Sequence, residues 1–199
     1  MSFQLDKEYV EAAQKIANFT GAPYVVLTDC CTHAIELCMR LKQPQWVEFS
    51  AYTYLSVLMT MHKLNIQYTL TDETWQGEYK FHGTNIWDSA RLVAPNMHRA
   101  GQMQCLSFGY SKPVCAYRGG AILLDNCNDY SKLVKLAYDG RDLSISPWVK
   151  QQTFAVGYHY RLTLEEVRAI GQALDAYIAA GDYAVKSAAY PDTRTITIQ

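Results

Sequence analysis

The sequence predicts an α/β domain with a mostly parallel, mixed sheet flanked by helices. Two observations carry this prediction. Short apolar runs of strand length recur along the chain, and segments with helical spacing of apolar residues lie between them over the first two-thirds. The 199 residues suit a single domain, with about residues 1–180 as its core and 181–199 as a tail. In such a sheet, ligands bind at the carboxyl ends of the strands.

The first half of the chain alternates helix and strand. Apolar residues recur at helical spacing over residues 6–19, and Gly21 and Pro23 then end that helix. The apolar runs at 24–27, 46–49 and 66–70 predict strands. A helix rich in apolar residues is predicted at 34–41, and another at 53–64.

The second half begins with a polar stretch, residues 71–84, for which we expect turns. Strands follow at 85–88, 104–108 and 120–124, and helices at 130–138 and 164–180. Thr163 and Glu166 have the spacing of a capping box for the last helix. The alternation TRTITI at 193–198 predicts an edge strand in the tail.

Composition narrows the range of partners. The net charge of −1 provides no field that would attract nucleic acid or an anionic membrane. The first residues lack the apolar core of a signal peptide, and no apolar run is long enough to span a bilayer, so we expect a cytoplasmic protein. The six cysteines and five histidines show no metal-ligand spacing, so no metal site is predicted.

Polar side chains follow several predicted strands. Thr32, Tyr54 and Asp88 lie at the ends of three of them, and Ser107 and Lys112 lie on the segment SFGYSKP. Four of them have an ordinary structural interpretation. Thr32 suits a helix cap and Tyr54 a core aromatic, while Asp88 suits a salt-bridged carboxylate and Lys112 a solvated surface residue. Because loops at one edge of a sheet form sites, the set as a whole favours a binding or catalytic site.

Five segments of the chain resemble the DegT/DnrJ/StrS family of sugar aminotransferases, which has the pyridoxal-phosphate (PLP) fold type I architecture. They follow the family's order over about residues 8–178. The segments are DCCTHAIEL at 29–37, SAYTY at 50–54, DSAR at 88–91, SFGYSK at 107–112 with RGG at 118–120, and GYHYRLT at 157–163.

The resemblance implies a role for each matched residue. Lys112 holds PLP as a Schiff base and carries protons once it is released, while Asp88 keeps the ring nitrogen protonated. Tyr54 occupies the position that stacks on the ring. The phosphate is bound by three groups at the strand ends, namely the Thr32 turn, the backbone at His33 and the hydroxyl of Ser107.

Three substitutions depart from the family pattern. Cys31 replaces a glycine of the phosphate turn, and glycine permits backbone shapes that cysteine adopts less readily. Arg91 replaces the glutamine near the cofactor's 3-oxygen, where it favours the phenolate. His159 replaces an asparagine. With Arg161, it is expected to reach the site of a neighbouring subunit, which implies a homodimer with a site shared across the interface.

The resemblance implies an aminotransferase that moves an amino group from an amino acid to a keto-sugar nucleotide or a similar ketone. Glutamate is the leading candidate for the donor. The chain resembles a shortened form that lacks most of the C-terminal small domain and a strand–helix unit before Asp88. A more open cleft is therefore expected. Two alternatives remain: another PLP reaction, such as decarboxylation or dehydration, and a non-catalytic binding or scaffold subunit.

Overall fold

A computed structural model describes residues 7–185 and 189–198. Strands and helices alternate along most of it. The seven strands are β1 (Tyr24–Thr28), β2 (Trp46–Ser50), β3 (Gln67–Thr71), β4 (Tyr79–Phe81), β5 (Ile86–Asp88), β6 (Met103–Ser107) and β7 (Gly120–Leu124). The five α-helices are α1 (Lys7–Thr20), α2 (Cys31–Lys42), α3 (Leu55–Lys63), α4 (Cys127–Ala137) and α5 (Leu164–Ala180).

The strands form one five-stranded sheet of order β1-β7-β6-β5-β4 and a parallel pair, β2-β3. Backbone hydrogen bonds of 2.8 and 3.1 Å between Glu48 and His82 link β2 to the end of β4. Traced through these pairings, β1, β2, β3, β5 and β6 run one way, whereas β4 and β7 run the other. The predicted mixed sheet, with most strands in one direction, is confirmed.

Burial explains the apolar runs that predicted the strands. Every residue of β6 and β7 is buried. Both are interior strands of the five-stranded sheet, and α2 packs against them. α1 lies against α5 and β1, and α4 lies against β1 and α2. The last helix spans 164–180, as predicted, and the capping box between Thr163 and Glu166 is present. Residue 6, the predicted start of the first helix, lies outside the described residues.

The prediction of turns over 71–84 is wrong for residues 79–81. These residues form β4, which pairs antiparallel with β5. Tyr79 and Phe81 point into the core and pack near Phe49, whereas Lys80 between them is half-buried. A three-residue strand is too short to show a period-2 pattern, and its stability comes from these aromatic contacts.

The prediction of an edge strand in the tail is also wrong. Thr193–Thr195 form a 3₁₀ turn, and the side chain of Asp192 accepts a hydrogen bond from the Arg194 N–H. The N–H and hydroxyl of Thr193 both donate to the Ala51 carbonyl, at 3.0 and 2.7 Å. These local bonds replace a strand ladder. In the described ranges, no helix combines the length and hydropathy needed to cross a bilayer.

Candidate active site

The carboxyl ends of β1, β2, β5 and β6 meet at one edge of the sheet, because these strands run in the same direction. A cavity of about 440 Å³ opens at this edge, a volume within the range of small-molecule and cofactor sites. The structure brings six of the predicted site residues together around it. They are Thr32, Tyr54, Asp88, Arg91, Ser107 and Lys112.

Asp88 is the buried carboxylate of this cavity. It ends β5 and is only 5% exposed. One of its oxygens, Oδ1, accepts the Ala90 N–H at 2.9 Å, and the other, Oδ2, accepts the Tyr79 hydroxyl at 3.0 Å. Burial raises the pKa of Asp88, although these two hydrogen bonds and the charge of Lys112 oppose the shift. Burial therefore disfavours the charged form of Asp88, and a cation placed against the carboxylate would stabilise that form.

Two residues that the sequence analysis did not identify hold Asp88 in place. The hydroxyls of Thr53 and Tyr79 lie 2.6 Å apart, and Tyr79 also donates to Asp88. Burial raises the pKa of Tyr79, which therefore stays a hydrogen-bond donor near neutral pH. Tyr79 could not be predicted as a site residue, because it lies on the short strand β4 inside a polar stretch.

Lys112 lies in the loop that follows β6. Its N–H donates to the Gly109 carbonyl at 3.1 Å and closes a turn. Its Nζ donates to the hydroxyl of Tyr190 at 3.4 Å. Ser107, at the end of β6, lines the same cavity. The loop therefore presents an amine at the strand ends, as the resemblance implies.

Hydroxyl groups and a helix end line another part of the cavity. The Thr32 hydroxyl, in the first turn of α2, lies 2.7 Å from the Ser56 hydroxyl, in the first turn of α3. The side chain of Cys30 at the α2 N-cap makes no capping hydrogen bond. First-turn N–H groups and nearby hydroxyls together suit a phosphate.

Cys31 does not disturb this turn. It is the first residue of α2 and does not have a positive φ, so the position requires no glycine. The expected difficulty at this substitution is therefore absent. The Cys31 side chain is buried, and burial raises the pKa of its thiol. A neutral thiol at this depth acts as a small apolar group.

His33 does not line the cavity, although Thr32 beside it does. Its Nδ1 lies 2.6 Å from the Asp29 carboxylate, and its ring stacks on Tyr160 at 3.6 Å. Burial alone would lower the pKa of His33, but hydrogen bonds with Asp29 and Cys30 raise it from 6.5 to about 9. An imidazolium therefore lies in the first turn of α2 at neutral pH, paired with the Asp29 carboxylate.

Replacing His33 with glutamine should make the free energy of unfolding less dependent on pH in the alkaline range. The raised pKa means that the contribution of His33 is complete below about pH 6.5 and is lost as the pH rises through about 9. After allowance for partial exposure, we expect the wild-type free energy of unfolding to fall by about 2 kcal/mol over this range. Urea unfolding at several pH values measures the difference. His62→Gln, at an exposed position, is the control, and equal slopes in wild type and His33→Gln would contradict the assignment.

Asp29, Cys30 and His33 bring potential metal-ligand atoms within 4.8 Å of one another. The Asp29 carboxylate is already engaged there, since one oxygen contacts His33 and the other accepts from Arg118 at 3.2 Å. The cluster is therefore accounted for by its own ion pairs.

His159 lies away from the cavity of its own chain. Its side chain is 63% exposed and pairs with Asp139 at 3.1 Å, and Arg161 donates to its Nε2 at 3.3 Å. Neither His159 nor Arg161 lines the cavity. The expectation that they serve the site of a neighbouring subunit stays a prediction.

Aromatic rings form part of the cavity wall. Tyr54 is the N-cap residue of α3 and is 60% exposed. Trp75 and Tyr190 stack on each other with ring centres 5.8 Å apart, and the Tyr54 ring meets Tyr190 edge-on at 6.3 Å. Trp75 and Tyr190 were not predicted, because they come from the polar stretch and the tail and reach the site only through long-range contacts.

The residues present fit PLP. The cavity combines a primary amine, Lys112, with a buried carboxylate, Asp88, whose free energy a ring cation would lower. Hydroxyls at a helix N-terminus suit the phosphate, and Tyr54 offers an aromatic face. The donor set thus matches each chemical part of the cofactor.

Comparison with solved structures supports the fold. The structure of DesI in the presence of its TDP-sugar product matches with a TM-score of 0.71 and 17% identity over 88% of this chain and 54% of that chain. Sugar aminotransferase CalS13 from Micromonospora echinospora matches at 0.71 and 14%, over 89% and 62%. A DegT DnrJ EryC1 StrS aminotransferase from Brucella abortus matches at 0.70 and 14%, over 87% and 59%.

These likenesses confirm the expected fold type I architecture of PLP-dependent aminotransferases. The chain spans roughly half to three-fifths of the length of the structures it matches. No protein-family model matches the sequence, and no curated protein sequence matches it. The similarity shown therefore lies in the fold.

Proposed function

We propose that this chain is a PLP-dependent aminotransferase that transfers an amino group from an amino acid to a keto-sugar nucleotide. Glutamate is the leading candidate for the amino donor. One observation carries the proposal. Lys112 and the buried Asp88 line a single cavity at the strand ends of a fold shared with solved sugar aminotransferases.

When bound, PLP would act as an electron sink for the carbon that carries the amino group. Lys112 would hold the cofactor covalently and, once displaced by an amino substrate, move the proton at that carbon. Asp88, fixed by Tyr79 and Ala90, would keep the ring nitrogen protonated. Arg91 would stabilise negative charge on the 3-oxygen side of the ring.

The phosphate would bind at the Thr32 hydroxyl and the first turn of α2. Ser56, whose hydroxyl lies beside that of Thr32, adds a donor that the resemblance did not assign. The exposed face of Tyr54 would cover the ring. These residues would hold the cofactor in the cavity that Lys112 also lines.

A single-turnover assay tests the proposal. The protein is loaded with PLP, freed of excess cofactor and mixed with glutamate in the absence of a keto acceptor. We expect about one 2-oxoglutarate per bound PLP, with the amino group retained on the cofactor, because the reaction stops after its first half. Alanine and aspartate, tested in parallel, define the donor.

The alternatives give different outcomes in the same assay. Release of carbon dioxide from the amino acid, without 2-oxoglutarate, would indicate decarboxylation. A sugar substrate that loses water without any change in amino content would indicate dehydration. PLP binding with no chemistry on any amino donor would favour the scaffold role. Each of these results contradicts the proposed transfer.

We also propose that the chain works as a homodimer. Tyr110 and Tyr117 lie beside each other in the loop that carries Lys112 and are 77% and 75% exposed. Aromatic residues at this exposure are typical of interfaces. Sedimentation equilibrium should therefore give twice the chain mass of 22.6 kDa, and a monomer at micromolar concentration would contradict the proposal.

A further inference from the structure

Among the described residues of the tail, Tyr190 lines the cavity. Its hydroxyl accepts hydrogen bonds from Lys112 Nζ at 3.4 Å and from Arg91 Nε at 3.3 Å. The Arg91 guanidinium also lies 5.7 Å from the centre of the Tyr190 ring. A residue 78 positions further along the chain than Lys112 therefore contacts both cations of the cavity.

Nearby bonds fasten this part of the tail to the domain. Thr193, which is buried, donates twice to the Ala51 carbonyl, in the loop after β2. Arg194 pairs with Asp72, just after β3, at 2.6 Å. The two anchors lie at the same sheet edge as the cavity. They fix the tail three and four residues after Tyr190 and so specify where its ring lies.

Tyr190 leaves room for a ligand. The cavity of about 440 Å³ is what remains with the Tyr190 ring in place, stacked on Trp75. A residue that filled the cofactor's space would leave no such volume next to Asp88. The ring therefore forms a wall on the Lys112 side of the cavity.

We propose that Tyr190 is a positioning residue of the active site. Held by the Thr193 anchor, it binds the Lys112 amine and covers the side of the cavity where substrate would meet that amine. This inference rests on the proposed function only in taking Lys112 as the cofactor lysine. The phenol orients the amine through one hydrogen bond, and the anchored tail limits the access of solutes to it.

Chemical labelling of Lys112 in the cofactor-free protein tests this inference. Acetic anhydride acetylates free amines, and mass spectrometry compares Lys112 with the exposed Lys132 as a reference. We expect Tyr190→Phe and Thr193→Val each to raise the relative acetylation rate of Lys112 by about two- to tenfold. This is the change expected when one hydrogen bond to the amine is lost. Thr193→Ser keeps the hydroxyl and should label like wild type.

A matched control lies on the same tail. Thr195 is exposed, and its hydroxyl donates to the nearby Asp192 carbonyl at 2.7 Å, so Thr195→Val should leave Lys112 labelling unchanged. Unchanged labelling in both Tyr190→Phe and Thr193→Val would overturn the proposal. The assay contains no PLP or amino donor, so its failure is distinct from a failure of the proposed amino transfer.

The affinity for PLP shows whether Tyr190 borders the cofactor space or occupies it. If Tyr190 borders the cofactor space, Tyr190→Phe should bind PLP within about twofold of wild type, as judged by fluorescence titration. Clearly tighter binding in Tyr190→Phe or Thr193→Val would mean that the tail occupies the place of the cofactor. That result would overturn the assignment of Tyr190 to the substrate side.

Discussion

Replacing Lys112 with alanine should slow the glutamate half-reaction by about 10⁴-fold or more. The variant loses both the covalent attachment of PLP and the amine that moves the proton, and a positioned general base alone contributes about 10²- to 10⁴-fold. Rapid-quench measurement of 2-oxoglutarate gives the rate. The fold should persist, because Lys112 is only half-buried and lies in a loop.

The matched control for Lys112→Ala is Lys15→Ala. Lys15 pairs with Asp175 between α1 and α5, outside the residues that line the cavity. We expect Lys15→Ala to react like wild type. A Lys112→Ala variant that keeps its rate within about tenfold would show that another lysine does the chemistry, and the residue assignment would then be wrong.

Replacing Asp88 with asparagine should lower the activity but raise the stability of the cofactor-free protein. Without the carboxylate, the ring nitrogen loses the partner that keeps it protonated, and we expect the half-reaction to slow by about 10²- to 10³-fold, as for other removed electrostatic groups. Asp175→Asn, the other member of the surface pair, is the control. A rate near that of wild type would remove Asp88 from its proposed role.

The same substitution should stabilise the cofactor-free protein. Because burial raises the pKa of Asp88 in the fold, keeping it charged costs free energy above the ordinary carboxyl pKa near 3.8. The free energy of unfolding of Asp88→Asn should therefore exceed that of wild type at pH 7, and the difference should vanish as the pH falls below about 4. Urea unfolding at both pH values measures it. A variant less stable at pH 7 would contradict the direction of the shift.

The residues at strand ends could be predicted because their signals are local. Asp88 and Ser107 each end a short apolar run, and Thr32 follows another before a helical segment. Once the strands run in one direction, their ends must share an edge, so a site at that edge follows from the pattern. The cavity indeed lies there and includes all three residues.

The supporting residues could not be predicted, because their placement depends on packing between distant segments. Tyr79 reaches Asp88 only because β4 pairs with β5, and three residues show no period. Tyr190 reaches Lys112 because Thr193 bonds to Ala51, 142 residues earlier. The alternation TRTITI resembles a strand, but the local bonds of Asp192 and Thr193 favour a turn.

The most direct test of the central claim is to map the lysine that binds PLP. The protein is incubated with PLP, reduced with borohydride and digested with trypsin. Cleavage after Arg99 and Arg118 releases residues 100–118, in which Lys112 is the one lysine. The cavity predicts about one phosphopyridoxyl group per chain, located on this peptide. Label scattered over surface lysines, or absent from residues 100–118, would contradict a PLP site at Lys112.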